Sequence, residues 1–242
     1  MDRHDLTSSL YWVLECRLAQ DFPPTDHALD EPDGLLAIGG DLSVERLVHA
    51  YSRGIFPWYS DGQPILWWTP NPRSILEPEA VHLSKSLAKK IRKGLFDLDW
   101  DLAFERVINA CAAPRDPHGG TWITSDMRDA YLELYRRGIA HSVECWRDGV
   151  LCGGLYGIAI GRIFFGESMF SHERDASKVA FIHLCRLLGD WGYRLIDCQI
   201  HTPHLERLGA RCVSRHDFET MLHTCVDQTV SPSAWQHPGR PS

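Results

Sequence analysis

GRIFFGESMFSHERDASKVAFIHLC, residues 161–185, carries an apolar strand-like run, Ile163, Phe164 and Phe165, that ends on Glu167 just before a polar loop and a helical pattern. Desolvating a charge is expensive, so a carboxylate at the end of a buried strand needs compensation. Glu167 is therefore either paired structurally or set at a wet pocket where a charge is useful. The neighbouring segments supply the frame. Upstream, HSVECWR (141–147) alternates as a strand, Asp148-Gly149 is a hairpin signal, and VLCGGLYGIAI (150–160) is a strand parted by Gly161 from RIFFGESMF (162–170). Downstream, SKVAFIHLCRLLGDWGY (177–193) is a helix and RLIDCQI (194–200) a short strand. HTPHLERLGA (201–210) then reads as a short helix ending at Gly209, and CVSRHDFETML (212–222) as a closing strand. Antiparallel strands followed by helix and strand in turn predict an α+β fold around a mixed, mostly antiparallel sheet.

A chain of 242 residues has ample length for a core, as one large domain or two small ones. Its 44% apolar and 24% charged composition is that of an ordinary globular protein. A net charge of -7 argues against a chain that coats itself in nucleic acid and leaves room for a local basic patch. The eight cysteines, at 16, 111, 145, 152, 185, 198, 212 and 225, form no C-x-x-C pair and read as reduced core thiols of a cytoplasmic protein. Neither a signal peptide nor a membrane-length apolar run is present, so no membrane association is expected.

The N-terminal third is loop-rich. FPPTDHALDEPDGLLAIGGDL (22–42) has Pro, Asp and Gly at turn spacing, and VERLVHAYSR (44–53) is a helix capped by Ser43 and stopped by Gly54. GIFPWYSDGQPILWWTPNPRSIL (54–76) places Trp58, Trp67 and Trp68 among prolines that allow only short edge strands. These aromatics form either a small stapled core or the wall of a ligand cleft. HLSKSLAKKIRKGL (82–95) follows a helical period, with Leu83, Leu87 and Ile91 on one side and Lys85, Lys89, Arg92 and Lys93 opposite; Lys90 adds a fifth cation. Such a face is either merely solvated or holds phosphates.

In RLIDCQI, strand alternation places Leu195, Asp197 and Gln199 on one side and Ile196, Cys198 and Ile200 on the other. If this strand pairs beside the Glu167 strand, the three polar groups converge. They are then a buried hydrogen-bonded set or a site able to orient and deprotonate an amine. No G-x-x-x-x-G-K loop is present, no ligand pattern completes a zinc site around His201 and His204, and no nucleophile elbow occurs.

GLLAIGGDLSVERLVHAYSRGIFPWYSDGQPILWWTPNPR, GTWIT, GGLYGIAIGRIFFGESMFS, ASKVA, LIDCQ and HLERLGA together resemble the leucyl/phenylalanyl-tRNA–protein transferase family, from about Phe22 to Leu222. The resemblance implies a small loop-rich N-terminal domain (1–73) and a GNAT-like acyltransferase domain (74–228), followed by a Pro/Ser-rich tail (229–242) expected to be frayed. It implies transfer of Leu or Phe, and Met less well, from aminoacyl-tRNA to the N-terminal Arg or Lys of acceptor proteins, marking them for N-end-rule degradation. Glu167, Asp197 and Gln199 match the family's catalytic positions. Trp58 and Trp122 match aromatics that hold the tRNA's terminal adenosine, and Tyr51 and Tyr131 join them as substrate-binding residues. Leu155, Phe164, Phe181, Leu188 and Ile196 would form the pocket for the transferred side chain, Phe181 and Leu188 differing in type from the family pattern. Lys85, Lys89, Lys90, Arg92 and Lys93 would meet tRNA phosphates. The ester is already activated, so no cofactor or metal is expected, and a monomer is. Asp197, oriented by Gln199, is the expected group for deprotonating the acceptor amine, with Glu167 as binder of its cationic end. Two other readings stand beside this one. A CoA-dependent N-acyltransferase would want a glycine-bearing [RQ]-x-x-G-x-[GA] loop where SHERDASKVA stands, and an RNA-binding module leaves the carboxylates beside an apolar pocket unexplained.

Overall fold

In the computed structural model of the chain, residues 11–14, 22–113 and 121–237 are described. Cys16 and the last five residues of the expected tail lie outside them. Three strands meander through the centre of a seven-stranded sheet: β7 (Ala140–Arg147), β8 (Val150–Ile160) and β9 (Ile163–Ser171). The β7–β8 turn puts Asp148 and Gly149 at φ 50° and 75°, the left-handed pair that a tight hairpin matching strand twist demands. At the β8–β9 turn, a Cβ on Gly161 would lie 2.2 Å from the Val226 carbonyl oxygen, so only glycine fits.

β9 feeds α5 (Ala176–Trp191), which Gly192 ends at φ 87° by donating back to the carbonyls of Leu188 and Gly189. The helix returns the chain to β10 (Leu195–Gln199), parallel to β9. β5 (Arg73–Leu76) runs antiparallel to β10, β11 (Arg211–Val213) lies beyond β5, and β6 (Asp97–Trp100) closes the other edge against β7. A smaller sheet orders β1 (Tyr11–Val13), β2 (Leu35–Gly39), β4 (Leu66–Trp68) and β3 (Phe56–Pro57). The fold is therefore α+β with a mixed, mostly antiparallel main sheet, as the order of segments predicts.

Alternation divides the large sheet between two cores. Leu155, Phe164 and Ile196 pack with Phe181, Leu184 and Leu188 of α5. Their neighbours Tyr156, Phe165 and Leu195 face the opposite way. They join Tyr51 of α1 (Val44–Ser52), residues of α3 (Phe104–Ala112) and α4 (Ser125–Arg136), and Leu36 and Trp67 of the small sheet. Phe164 and Phe165 are both fully buried, each contributing roughly 1.5–3 kcal/mol. The large sheet is thus clamped between α5 and the small sheet with its helices.

Two expectations are corrected, and one unassigned stretch is filled in. Of the closing segment only Cys212 and Val213, with Arg211 before them, form a strand; beyond Ser214 it belongs to α7 (Arg215–Cys225), because the Ser214 hydroxyl caps the Asp217 N–H and Phe218, Leu222 and Cys225 repeat on one buried face. Residues 97–136, which the strand pattern leaves unassigned, carry β6, α3 and α4. The tail up to residue 237 is not frayed: the Trp235 indole N–H donates to the Tyr193 hydroxyl at 2.8 Å and its ring stacks on His141.

Candidate active site

β10 pairs with β9 only through Leu195–Ile163, Ile196–Phe164 and Asp197–Phe165. Beyond that point β9 stays with β8, while β10 bends away at Gln199, a non-glycine residue held at φ 54°. The two strands splay and open a cleft of about 490 Å³. Gly166, Glu167, Ser168 and Met169 line one side, Cys198, Gln199 and Ile200 the other. A register shift in β9 opposite Tyr156–Gly157 leaves Glu167 without a cross-strand partner, and its side chain meets Tyr51 and Tyr131 on the same face as Phe165.

Glu167 is half-buried where the cleft meets the second core. Tyr51 Oη donates to its Oε1 at 2.7 Å and Tyr131 Oη to its Oε2 at 2.9 Å, while the two hydroxyl oxygens stand 2.7 Å apart. The Gln199 side-chain amide also donates to Oε1, at 3.3 Å. Burial pushes the Glu167 carboxyl up to about 7, against the downward pull of the two tyrosine hydroxyls and with the Asp197 charge adding to the rise. Burial and the Glu167 charge hold both tyrosines well above their ordinary range, so they remain donors. A proton count gives the physical meaning. The three short oxygen contacts share two hydroxyl protons when Glu167 is ionised and three protons when it is not, so the cluster has room for one more proton.

Asp197 is elsewhere. It is fully buried, and Arg73 clamps it with Nε to Oδ1 at 2.9 Å and Nη2 to Oδ2 at 2.6 Å. The guanidinium lies between the rings of Phe56 and Phe218, 4.9 and 4.6 Å from their centroids. Asp197 Oδ1 also accepts the Gln199 backbone N–H at 2.9 Å. That bond secures the left-handed turn which sends the Gln199 side chain to Glu167. The expected shared face of Asp197 and Gln199 therefore breaks at the turn: Gln199 reaches the cleft and Asp197 stays behind it.

The other sequence-derived residues separate similarly. Leu155, Phe164, Phe181 and Ile196 line the cleft, as do Trp58 and Trp122. Leu188 does not, because it sits one turn further along α5 than Leu184 and is fully buried. Trp58 is 41% exposed at the rim, with its carbonyl accepting the Trp68 indole N–H at 2.7 Å. Of the basic residues on α2 (Lys85–Arg92) and just after it, Lys85, Lys89, Arg92 and Lys93 are exposed. Lys90 instead pairs with Asp175 at 2.5 Å, where Lys178 binds the same carboxylate at 2.9 Å.

Sequence reasoning misses Arg73, Phe56 and His204 as site residues. The signal for Arg73 is the charge heading the apolar strand RSIL, which must find a partner once buried. His204 lies at the cleft wall, its imidazole pushed down by burial and by nearby Lys178 and Arg207. Among the described residues no group of three or more His, Cys, Asp or Glu side chains is placed to hold a metal, and no helix is long and apolar enough to cross a membrane.

The sequence matches two family models, "Leucyl/phenylalanyl-tRNA protein transferase" over residues 75–223 and its N-terminal domain over 40–71. It is 58% identical over 224 residues to the leucyl/phenylalanyl-tRNA–protein transferase of Pseudomonas putida (strain W619), covering 93% of this chain and 98% of that one. The namesake from Methylococcus capsulatus is 53% identical over 218 residues, covering 90% and 93%. A GCN5-related N-acetyltransferase from Kribbella flavida overlays with a TM-score of 0.37 at 12% identity, over 65% of this chain and 56% of that one. With relatives this similar along nearly its whole length, the chain belongs to the leucyl/phenylalanyl-tRNA protein transferase family, a family of aminoacyltransferases.

Proposed function

We propose that the chain moves Leu or Phe, and Met less well, from aminoacyl-tRNA to the N-terminal Arg or Lys of acceptor proteins in the cytoplasm, as a monomer. The acceptors are thereby marked for N-end-rule degradation. The observation that carries this reading is the hydrogen-bonded Glu167–Tyr51–Tyr131 cluster beside an apolar cleft that Glu167 helps to line. Leu155, Phe164, Phe181 and Ile196 suit a side chain unbranched at Cβ. The exposed Trp58 face, with Trp122, suits the terminal adenine. The cations of α2 suit the phosphates further along the tRNA.

The acceptor amine, with a pKa of about 8, must lose a proton before its lone pair attacks the ester carbonyl. Glu167, at about 7, is mostly ionised just above neutrality and accepts that proton; the amide bond forms, the ester C–O bond breaks, and the second proton lost by the amine nitrogen leaves on the tRNA 3′-oxygen. Tyr51 and Tyr131 rearrange their hydrogen bonds around the protonated carboxyl. Asp197 acts one step removed, by fixing the turn that aims Gln199.

The test is incubation with radiolabelled leucyl-tRNA and two peptides that differ only at the N-terminus, Arg or acetyl-Arg. Label should enter the free-amine peptide alone, and acetyl-CoA should not replace the tRNA. Labelling of neither peptide would end this reading.

A further inference from the structure

Beneath the cleft, Phe164 is held from two sides. On one, a Cβ on Gly157 would lie 2.5 Å from the Phe164 ring, so the glycine backbone is already in contact with it. On the other stands Trp235, its ring centroid 5.8 Å away at 28°. Trp235 belongs to the C-terminal segment, beyond residue 223 where the family match ends. It is anchored there firmly. Its indole N–H donates to Tyr193 Oη at 2.8 Å, and its ring lies 4.0 Å from His141 at 6° and 4.8 Å from Trp191. His141 is itself fixed to Asp101 at 2.7 Å. Two residues on, His237 pairs with Asp99 and stacks on Trp100. Upstream, the Ser231 N–H donates to the Trp191 carbonyl at 2.9 Å. Trp235 adopts φ 61°, a conformation costly for a bulky side chain and kept only where packing over-determines it.

We infer that Trp235 is the back wall of the donor pocket, a positioning residue that sets how deep a side chain the pocket accepts by holding the Phe164 ring forward. The inference rests on the reading of the cleft as the donor side-chain site. Phe164 cannot move toward Gly157 without striking backbone, and the Trp235 ring fills space into which it would otherwise retreat. Removing the indole lets the ring fall back and deepens the pocket by about a methylene or more. Discrimination by shape in an apolar pocket changes by about tenfold for such a step. The longer phenylalanyl donor gains from the extra depth, and the leucyl donor loses contacts.

The experiment measures kcat/KM for phenylalanyl- and leucyl-tRNA with full-length wild type, Trp235→Ala, Trp235→Phe and the lining variant Phe164→Leu. Trp235→Ala should shift the Phe/Leu ratio toward Phe by about tenfold, while Trp235→Phe, which keeps a ring against Phe164, should stay near wild type. If Trp235→Ala does not fold, as judged by its melting curve, Trp235→Leu decides on the same ratio. A ratio moved by Phe164→Leu and unmoved by loss of the Trp235 ring overturns the inference while the donor-pocket reading stands. A ratio moved by none of them shows that the cleft is not the donor pocket, and the inference falls with that reading.

Discussion

Glu167 and Asp197 are carboxylates on adjacent strands with opposite surroundings, and their hydrogen-bond partners set them apart. Asp197 meets a guanidinium that satisfies both its oxygens inside the core; Glu167 meets only neutral hydroxyls and an amide, which leaves its charge available. Tyr51→Phe tests the second half of this contrast. The ring can keep its edge contact with Phe165, but the carboxylate loses a donor that favours its ionised form. The Glu167 pKa should therefore rise above about 7, and the acidic limb of the kcat profile should move to higher pH. An unmoved limb would detach the tyrosines from the proton step. Arg73→Ala tests the first half. It strands Asp197 in the core, so a loss of about 3–5 kcal/mol in denaturant unfolding is expected, while a loss below about 1 kcal/mol would show that water reaches the carboxylate.

At the scale of elements, the central meander is legible in the sequence because its strands keep their period between the stops Asp148-Gly149 and Gly161, and α5 and β10 by their periods, although Gly192 ends the helix two residues before the pattern does. β10 does pair beside β9, in parallel, the condition on which the convergence of the polar residues depends. Their final positions are not legible, since alternation carries no warning of the left-handed turn at Gln199 or the register shift at Glu167. α7 is misread because its apolar residues are few and its cap, Ser214, sits inside a segment that begins as a strand. The amphipathic α2 is legible, but the role of each cation depends on what lies opposite. Reversing Lys85, Lys89 and Lys93 to Glu should weaken tRNA binding strongly, and neutralising each should reduce the salt slope by about one. Lys90→Ala should change that slope less, because Asp175 already engages Lys90. Equal effects at all four positions in filter-binding titrations would contradict the pairing.

The whole molecule explains why the site needs both ends of the chain. One apolar core runs from Leu36, Tyr51 and Trp67 through Ile75 and Phe165 to Phe218, so the small sheet and the large one share an interior. Glu167 draws Tyr51 from α1 and Tyr131 from α4, and Asp197 draws Arg73 from β5. These partners lie 116, 36 and 124 residues away in sequence, beyond the reach of any local pattern. Only the family resemblance brings Tyr51 and Tyr131 into view beforehand; the packing of the two sheets gives them their task. The central claim is that this assembly exists to give Glu167 a pKa near the working pH, and single-turnover transfer to saturating Arg-peptide against pH measures it most directly. In wild type the rate should rise through a limb near pH 7, and in Glu167→Gln that limb should vanish, with the rate down by about 100-fold or more. A Glu167→Gln enzyme that keeps both the limb and a near-normal rate would contradict the account.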